Sequence, residues 1–241
     1  MYVLYRSVSR ILTSKVNLEA YPLATRKIAA NPSAAPESRS PWSPSAERAR
    51  QRVVKREAVI LAAARAFKAR GYYNTSLDDI AAALHVTKPT IYHYVSNKEE
   101  ILFECFRMGL DQIRDAFTEL DAARLNGREQ LLLVMRRYAE AITSEFGWCM
   151  VRAEDQELSP AMSKRIKALK SEIDRGIRRL IQSGIDDGSI RACDPKMTAF
   201  ALAGALNWIA HWHREGAPLG PADIAQRFMD VFDLGLRPRQ K

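Results

Sequence analysis

Four histidines and three cysteines carry the most reactive side chains of this 241-residue chain, and neither set is spaced to use them. His211 and His213 stand two residues apart, about 200° around a helix, so they cannot hold one metal ion from one face. Cys105, Cys149 and Cys193 are widely separated and odd in number. That suits a reducing cytosol, argues against a disulfide framework and leaves each thiol as a small apolar filler. No phosphate loop, dinucleotide fingerprint or zinc spacing occurs, so neither catalysis nor a cofactor nor a metal is expected. What remains is hydrogen bonding and charge. At 100° per residue, Lys88, Pro89, Tyr92 and His93 fall on one side of a short helical stretch, with Ile91, Tyr94 and Val95 on the other. Such a polar face is a donor surface for a partner or simply a solvated one.

The frame that must hold these residues is all-α. From Val54 onward apolar positions recur at helical spacing, and no stretch alternates as a strand does. A first helix is expected over about Val54 to Arg70, burying Ile60, Ala64 and Phe67, with Gly71 closing it at C′. A second starts at Thr75 or Ser76, where Asp78 or Asp79 three residues on makes a capping box. Its Leu77, Ile80, Ala81 and Leu84 fill the i, i+3, i+4, i+7 template. The turn His85-Val86 leads to Thr87, the expected cap of a third helix through Val95, with Pro89 in a first turn where it costs no hydrogen bond. Helix, short turn and helix with a polar outer face make a helix-turn-helix. Further on, Ser159-Pro160 and Asp194-Pro195 read as N-caps followed by Pro at the first helical position, and Gly220-Pro221 repeats the device. Ile166, Leu169, Ile173, Ile177 and Leu180 form one stripe on a long helix ending near Gly184.

The net charge of +9 is concentrated at the front. Residues 1–56 hold eleven Lys/Arg against three Asp/Glu, 57–95 hold four against three, and the remainder balances at 22 each. A basic front on a neutral body suggests that only the front meets a polyanion, although charge alone does not choose between DNA, RNA and an anionic membrane. The Pro- and Ser-rich run 29–46 reads as a linker. Residues 1–48 are expected to be a disordered basic extension: an arm on DNA, an inert tail, or an over-long gene start. No apolar run approaches the roughly 18 residues of a membrane span, and no secretory h-region opens the chain, so a cytoplasmic protein without a membrane partner is expected.

The run TSLDDIAAALHVTKPTIYHYVSNKEEIL (75–102) closely resembles the DNA-binding signature of the TetR family of repressors. The resemblance rests on the capped T-S-x-x-x-I-A helix, the V-T-K-P-T-I-Y-H-Y recognition helix and Lys98 opening the next helix. It implies a helix-turn-helix DNA-binding domain over 49–98 and a larger helical ligand-binding and dimerisation domain over 99–241. It implies that Thr75 or Ser76 donates to a phosphate at a helix N-terminus. Lys88, Pro89 and Thr90 would read base edges in the major groove of double-stranded operator DNA. Tyr92 and His93 resemble the family's backbone-clamping pair, and Lys98 would add a phosphate contact, these contacts fixing register more than sequence.

The body is expected to make a homodimer and a sensor. Helices at about 195–215 and 221–236 look like the dimer-forming pair, the first rich in Ala and Gly204, the second repeating Ile224, Phe228, Val231 and Phe232. The run 205–236 resembles, more loosely, the C-terminal domain of TetR-type regulators of fatty-acid, steroid and aromatic-acid degradation, several of which respond to acyl-CoA thioesters. Where those relatives often have an aromatic-arginine pair before the second tryptophan, this chain has Ala210-His211. The implied ligand is a small hydrophobic effector, an acyl-CoA first. Trp148, Trp208 and Trp212 would wall its slot beside Asn207, and Arg152 or Arg178 would meet its phosphates. The alternatives are a drug-type ligand, or a nucleic-acid or membrane-surface binder acting through the basic tail alone.

Overall fold

The computed structural model describes residues 46–120, 124–153, 157–214 and 216–238. Among them nine helices and no strand occur: α1 Ala46–Arg70, α2 Leu77–Ala83, α3 Lys88–Tyr92, α4 Lys98–Thr118, α5 Gly127–Thr143, α6 Gly147–Arg152, α7 Pro160–Asp186, α8 Pro195–Trp212 and α9 Pro221–Leu236. This is the expected all-α architecture, a three-helix head followed by a larger helical body. The expected disorder of 1–48 lies outside the described residues except for 46–48, which already belong to α1. That helix starts at Ala46 rather than Val54 because RARQRVVKRE contains good helix formers and neither Gly nor Pro. Burial begins only at Val59.

The head closes on Ile60, Ala64 and Phe67 of α1, Leu77, Ile80 and Ala81 of α2, and Ile91 and Val95 from α3 and its trailing turn, all buried. Gly71 ends α1 with φ of +82°, its N–H donating to Phe67 at 2.8 Å. α4 then carries the head's packing into the body. Its Cys105 thiol donates to the Ile60 carbonyl of α1 at 3.7 Å, while further along Phe117 lies against Gly176 of α7.

Side-chain caps set three of the body's helix starts. Asn97 accepts from Glu100 N at 2.7 Å, Asn126 from Glu129 N at 3.0 Å, and Asp194 from Lys196 N and Met197 N at 2.8 and 3.1 Å. Ser159 caps nothing with its side chain; its own N–H donates to Glu99 of α4 at 2.6 Å, tying the start of α7 to the start of α4. α5 and α7 meet backbone to backbone. A Cβ on Gly127 would land on the Gly184 backbone, with Ser183 C at 2.8 Å. Asp187 accepts from Gly127 N at 2.7 Å and Ser189 from Arg128 N at 3.0 Å, and the Arg128 guanidinium pairs with Asp233 of α9.

Candidate nucleic-acid interface

The ends of α2 fix the angle at which α3 is presented. Ser76 Oγ accepts from Asp79 N at 3.1 Å while Asp79 Oδ2 accepts from Ser76 N at 2.8 Å, the reciprocal capping box expected from the spacing. The Ser76 N–H and hydroxyl, with Arg70 at 3.2 Å, hold the Asp79 carboxyl below its ordinary range. At the other end, His85 N–H donates to Ala82 O at 3.1 Å and Val86 N–H to Ala81 O at 3.0 Å, a Schellman pair. It needs a left-handed residue at its centre, and His85 supplies it with φ of +53°.

α3 is shorter than the expected run to Val95. Its last bonds tighten to three-residue spacing, His93 N–H to Thr90 O at 3.3 Å and Tyr94 N–H to Ile91 O at 2.9 Å. Ile91 and Val95 anchor it in the head, and the opposite side carries Lys88, Pro89, Tyr92 and His93, all exposed, Tyr92 at 51%. Thr90 is half-buried, its hydroxyl 3.0 Å from Thr87 Oγ1. Lys88 Nζ reaches back to Asp78 Oδ2 at 2.8 Å, which raises its pKa further above the lysine range. Ser76 is exposed beside α3. Lys98 is half-buried, its ammonium 4.1 Å from the centre of the Tyr72 ring, and desolvation pulls its pKa below the ordinary lysine value.

Thr75 requires a correction. It is 1% exposed, and its hydroxyl donates inward to Gly71 O at 2.9 Å and Ala66 O at 3.3 Å. These carbonyls at the end of α1 take the donor that a phosphate contact would need, so of the pair only Ser76 faces outward. Sequence reasoning also missed two arginines of α1. Arg52 reaches the His93 carbonyl at 3.5 Å, and Arg56 donates to the Tyr94 carbonyl at 3.2 Å while pairing with Glu100 at 2.9 Å and Glu104 at 3.4 Å. In the sequence they counted only toward the basic front, Arg52 lying before the expected start of the first helix.

The arrangement can donate hydrogen bonds and positive charge to an anionic, grooved partner. A short helix about 10–12 Å across, bare on one side, matches the roughly 12 Å major groove of B-DNA.

The six body residues expected to share a ligand slot do not converge. Trp148 and Arg152 line one cavity of about 530 Å³. Asn207 instead accepts from the Tyr138 hydroxyl at 3.0 Å, and burial pushes that phenol up to about 12 against the pull of this bond. Arg178 pairs with Asp174 at 2.6 Å and lies over the Phe200 ring. Trp208 and Trp212 are surface residues, 63% and 42% exposed, so they wall no slot. The helical period carries them onto an outer stripe of α8 with Met197 and Phe200, while Leu202, Leu206 and Ile209 take the inner side.

Residues 59–105 match the family model described as bacterial regulatory proteins, tetR family, and residues 124–236 match the tetracyclin repressor-like, C-terminal domain. The HTH-type transcriptional regulator YhgD of Bacillus subtilis is 27% identical over 173 residues, covering 71% of this chain and 91% of the relative. The HTH-type transcriptional repressor KstR2 of Rhodococcus jostii is 26% identical over 179 residues, covering 72% and 87%. Among solved structures, AibR in complex with isovaleryl coenzyme A and operator DNA superimposes with a TM-score of 0.64 at 27% identity, covering 77% of this chain and 100% of that one.

Proposed function

We propose that this chain, which belongs to the TetR family of bacterial transcriptional regulators, grips a palindromic operator as a homodimer through α3 and is released by a small hydrophobic effector, an acyl-CoA. Membership makes it a DNA-binding regulator and not an enzyme. The observation that carries the finer reading is the division of α3, with Ile91 and Val95 buried beneath it and Lys88, Pro89, Tyr92 and His93 bare above. Lys88, Pro89 and Thr90 enter the groove; Tyr92, His93, Ser76 and Lys98 clamp phosphates, Lys98 by leaving the Tyr72 ring.

Dimerisation explains an otherwise unfavourable surface. Met197, Phe200, Trp208 and Trp212 of α8 and Val231 and Leu234 of α9 are exposed and apolar. Two copies of α8 and α9 packed as four helices bury them and set the two α3 helices about 34–36 Å apart, one turn of DNA. An effector that favours another spacing weakens DNA binding, and DNA weakens effector binding by the same factor. Support for the effector class comes from AibR, solved with both isovaleryl coenzyme A and operator DNA, and for repression from KstR2, named a repressor.

Fluorescence anisotropy on the intergenic DNA beside the gene, with and without a mixed acyl-CoA pool, tests the reading. Wild type should bind specifically and be released by the pool. Tyr92→Ala should weaken operator and random DNA alike, and Lys88→Ala should relax sequence preference or reduce the salt slope by about one unit. Unchanged affinity in both variants refutes the DNA assignment, and a complex that ignores the pool removes the thioester.

A further inference from the structure

The cavity beside Trp148 is lined by four cations from three separate elements: Arg65 and Lys68 of α1, Arg152 of α6, and Arg214 after α8. One carboxylate, Glu145, shares the lining. Its Oε1 takes Arg65 in an ion pair at 3.0 Å, while its buried Oε2 has no hydrogen-bond partner among the described residues. Arg152 leans on the His211 ring nitrogen at 3.4 Å, and Arg214 on the carbonyls of His211 and His213 at 3.3 and 3.1 Å; neither meets a carboxylate in these contacts. Surface arginines usually sit in a solvated face. Here they line one concavity of about 530 Å³ beside a half-buried indole, within the size range of small-molecule sites.

We propose that this cleft is a polyanion subsite that holds the phosphorylated end of the effector, an inference that rests on the effector reading above for its natural ligand. Lys68, Arg152 and Arg214 meet phosphate oxygens, where charge-assisted hydrogen bonds are strong. Trp148 offers a flat face to a ring or thioether arm. Glu145 Oε2 accepts from an N–H or O–H beside the phosphates. The same cleft contains a coupling device, because Arg65 is shared between the ligand and Glu145. A phosphate that draws Arg65 away from Glu145 loosens a tie between α1 of the head and the loop after α5. The ligand therefore biases the head's position without touching α3.

Calorimetry on the full chain tests this, with coenzyme A, octanoyl-CoA, octanoate and adenosine diphosphate as probes. Coenzyme A and octanoyl-CoA should bind, and Lys68→Gln and Arg152→Gln should each weaken both by about tenfold or more. Glu145→Gln should tighten both, since it removes the one carboxylate among the described residues that line the cleft. The exposed Lys167→Gln on α7 should change nothing, and none of the variants should alter octanoate binding. Octanoyl-CoA binding that ignores the cleft variants overturns the subsite and leaves the effector reading standing. Adenosine diphosphate bound as tightly as octanoyl-CoA, and weakened by the same variants, keeps the subsite and removes the thioester from the effector reading. No binding of any phosphorylated probe overturns the subsite.

Discussion

Replacing Thr75 by Val keeps a buried β-branched shape and deletes one hydroxyl. That hydroxyl lies at 2.9 Å from the Gly71 carbonyl and 3.3 Å from that of Ala66, in a residue 1% exposed. Losing one partner of a buried hydrogen bond costs about 1–3 kcal/mol. Val no longer has a hydroxyl to desolvate, which places the expected loss in the lower part of that range, about 1–2 kcal/mol. With a urea slope of about 2 kcal/mol per molar, the unfolding midpoint should fall by about 0.5–1 M. Wild type and variant must be compared at one protein concentration, because a dimer's midpoint depends on it. Thr75→Ser keeps the donor and should recover most of the loss, while operator affinity of the folded variant stays near wild type. If Thr75 met phosphate instead, Thr75→Val would leave the urea midpoint unmoved and weaken binding to operator and random DNA alike. That pair of results would refute the inward role of the hydroxyl.

Three further outcomes are expected. Gly127→Ala forces α5 and α7 apart, because the added methyl meets the Gly184 backbone and Ser183 C rather than a side chain that can swing away; stability should drop by about 1–3 kcal/mol in urea melts. Acid should destabilise the protein through four carboxyls held low: Asp79 by the Ser76 N–H, Glu99 by the Ser159 N–H, Asp187 by Ser189, and Glu100, where burial acts the other way but Ser96 N–H and Arg56 outweigh it. Since each folded pKa lies below its unfolded value, their contribution is fully present above the ordinary carboxyl range, about pH 4, and disappears as pH falls through the lowered values; urea midpoints flat from pH 7 to 5 and dropping below 4 would match. Trp208→Glu should give a monomer by sedimentation with helical content unchanged, and a variant that remains dimeric would place the interface elsewhere.

The parts of the molecule governed by neighbours in the chain were readable from it. Ser76 with Asp79, Gly71, Asp194-Pro195 and the split of Ile91 from Lys88 and Tyr92 are all effects of residues within four positions of one another. The period of the apolar residues also identified which side of α7 is buried, with Ile166, Ile173 and Ile177 inside. What escaped depends on chain segments far apart. Thr75 reads as a helix cap until the end of α1 is seen to need its hydroxyl. Trp208 and Trp212 read as walls of a slot because large apolar residues are usually buried, whereas α8 turns them outward. Arg65, Lys68 and Arg214 gave no signal at all, since no spacing rule joins residues 65, 152 and 214 across three elements. α1 outran its expected start because helix propensity alone sustains its exposed basic turns, where no apolar period exists to count.

The thiol of Cys105 gives the joint between α1 and α4 a built-in stopwatch. It is wholly buried and hydrogen-bonded to the Ile60 carbonyl, and burial pushes it well above the usual thiol range, so an aromatic disulfide dye reaches it only after the two helices part. The half-exposed Cys193 marks the start of the clock, because it reacts without any opening. When closing outruns labelling, the Cys105 rate divided by that of a free thiol is the fraction of time the joint stands open. Any ligand that loosens α1 from α4 must quicken that label, and any DNA that tightens them must slow it. With the other buried thiol, Cys149, replaced by Ala, the label reports on this joint through a side chain that the protein already carries.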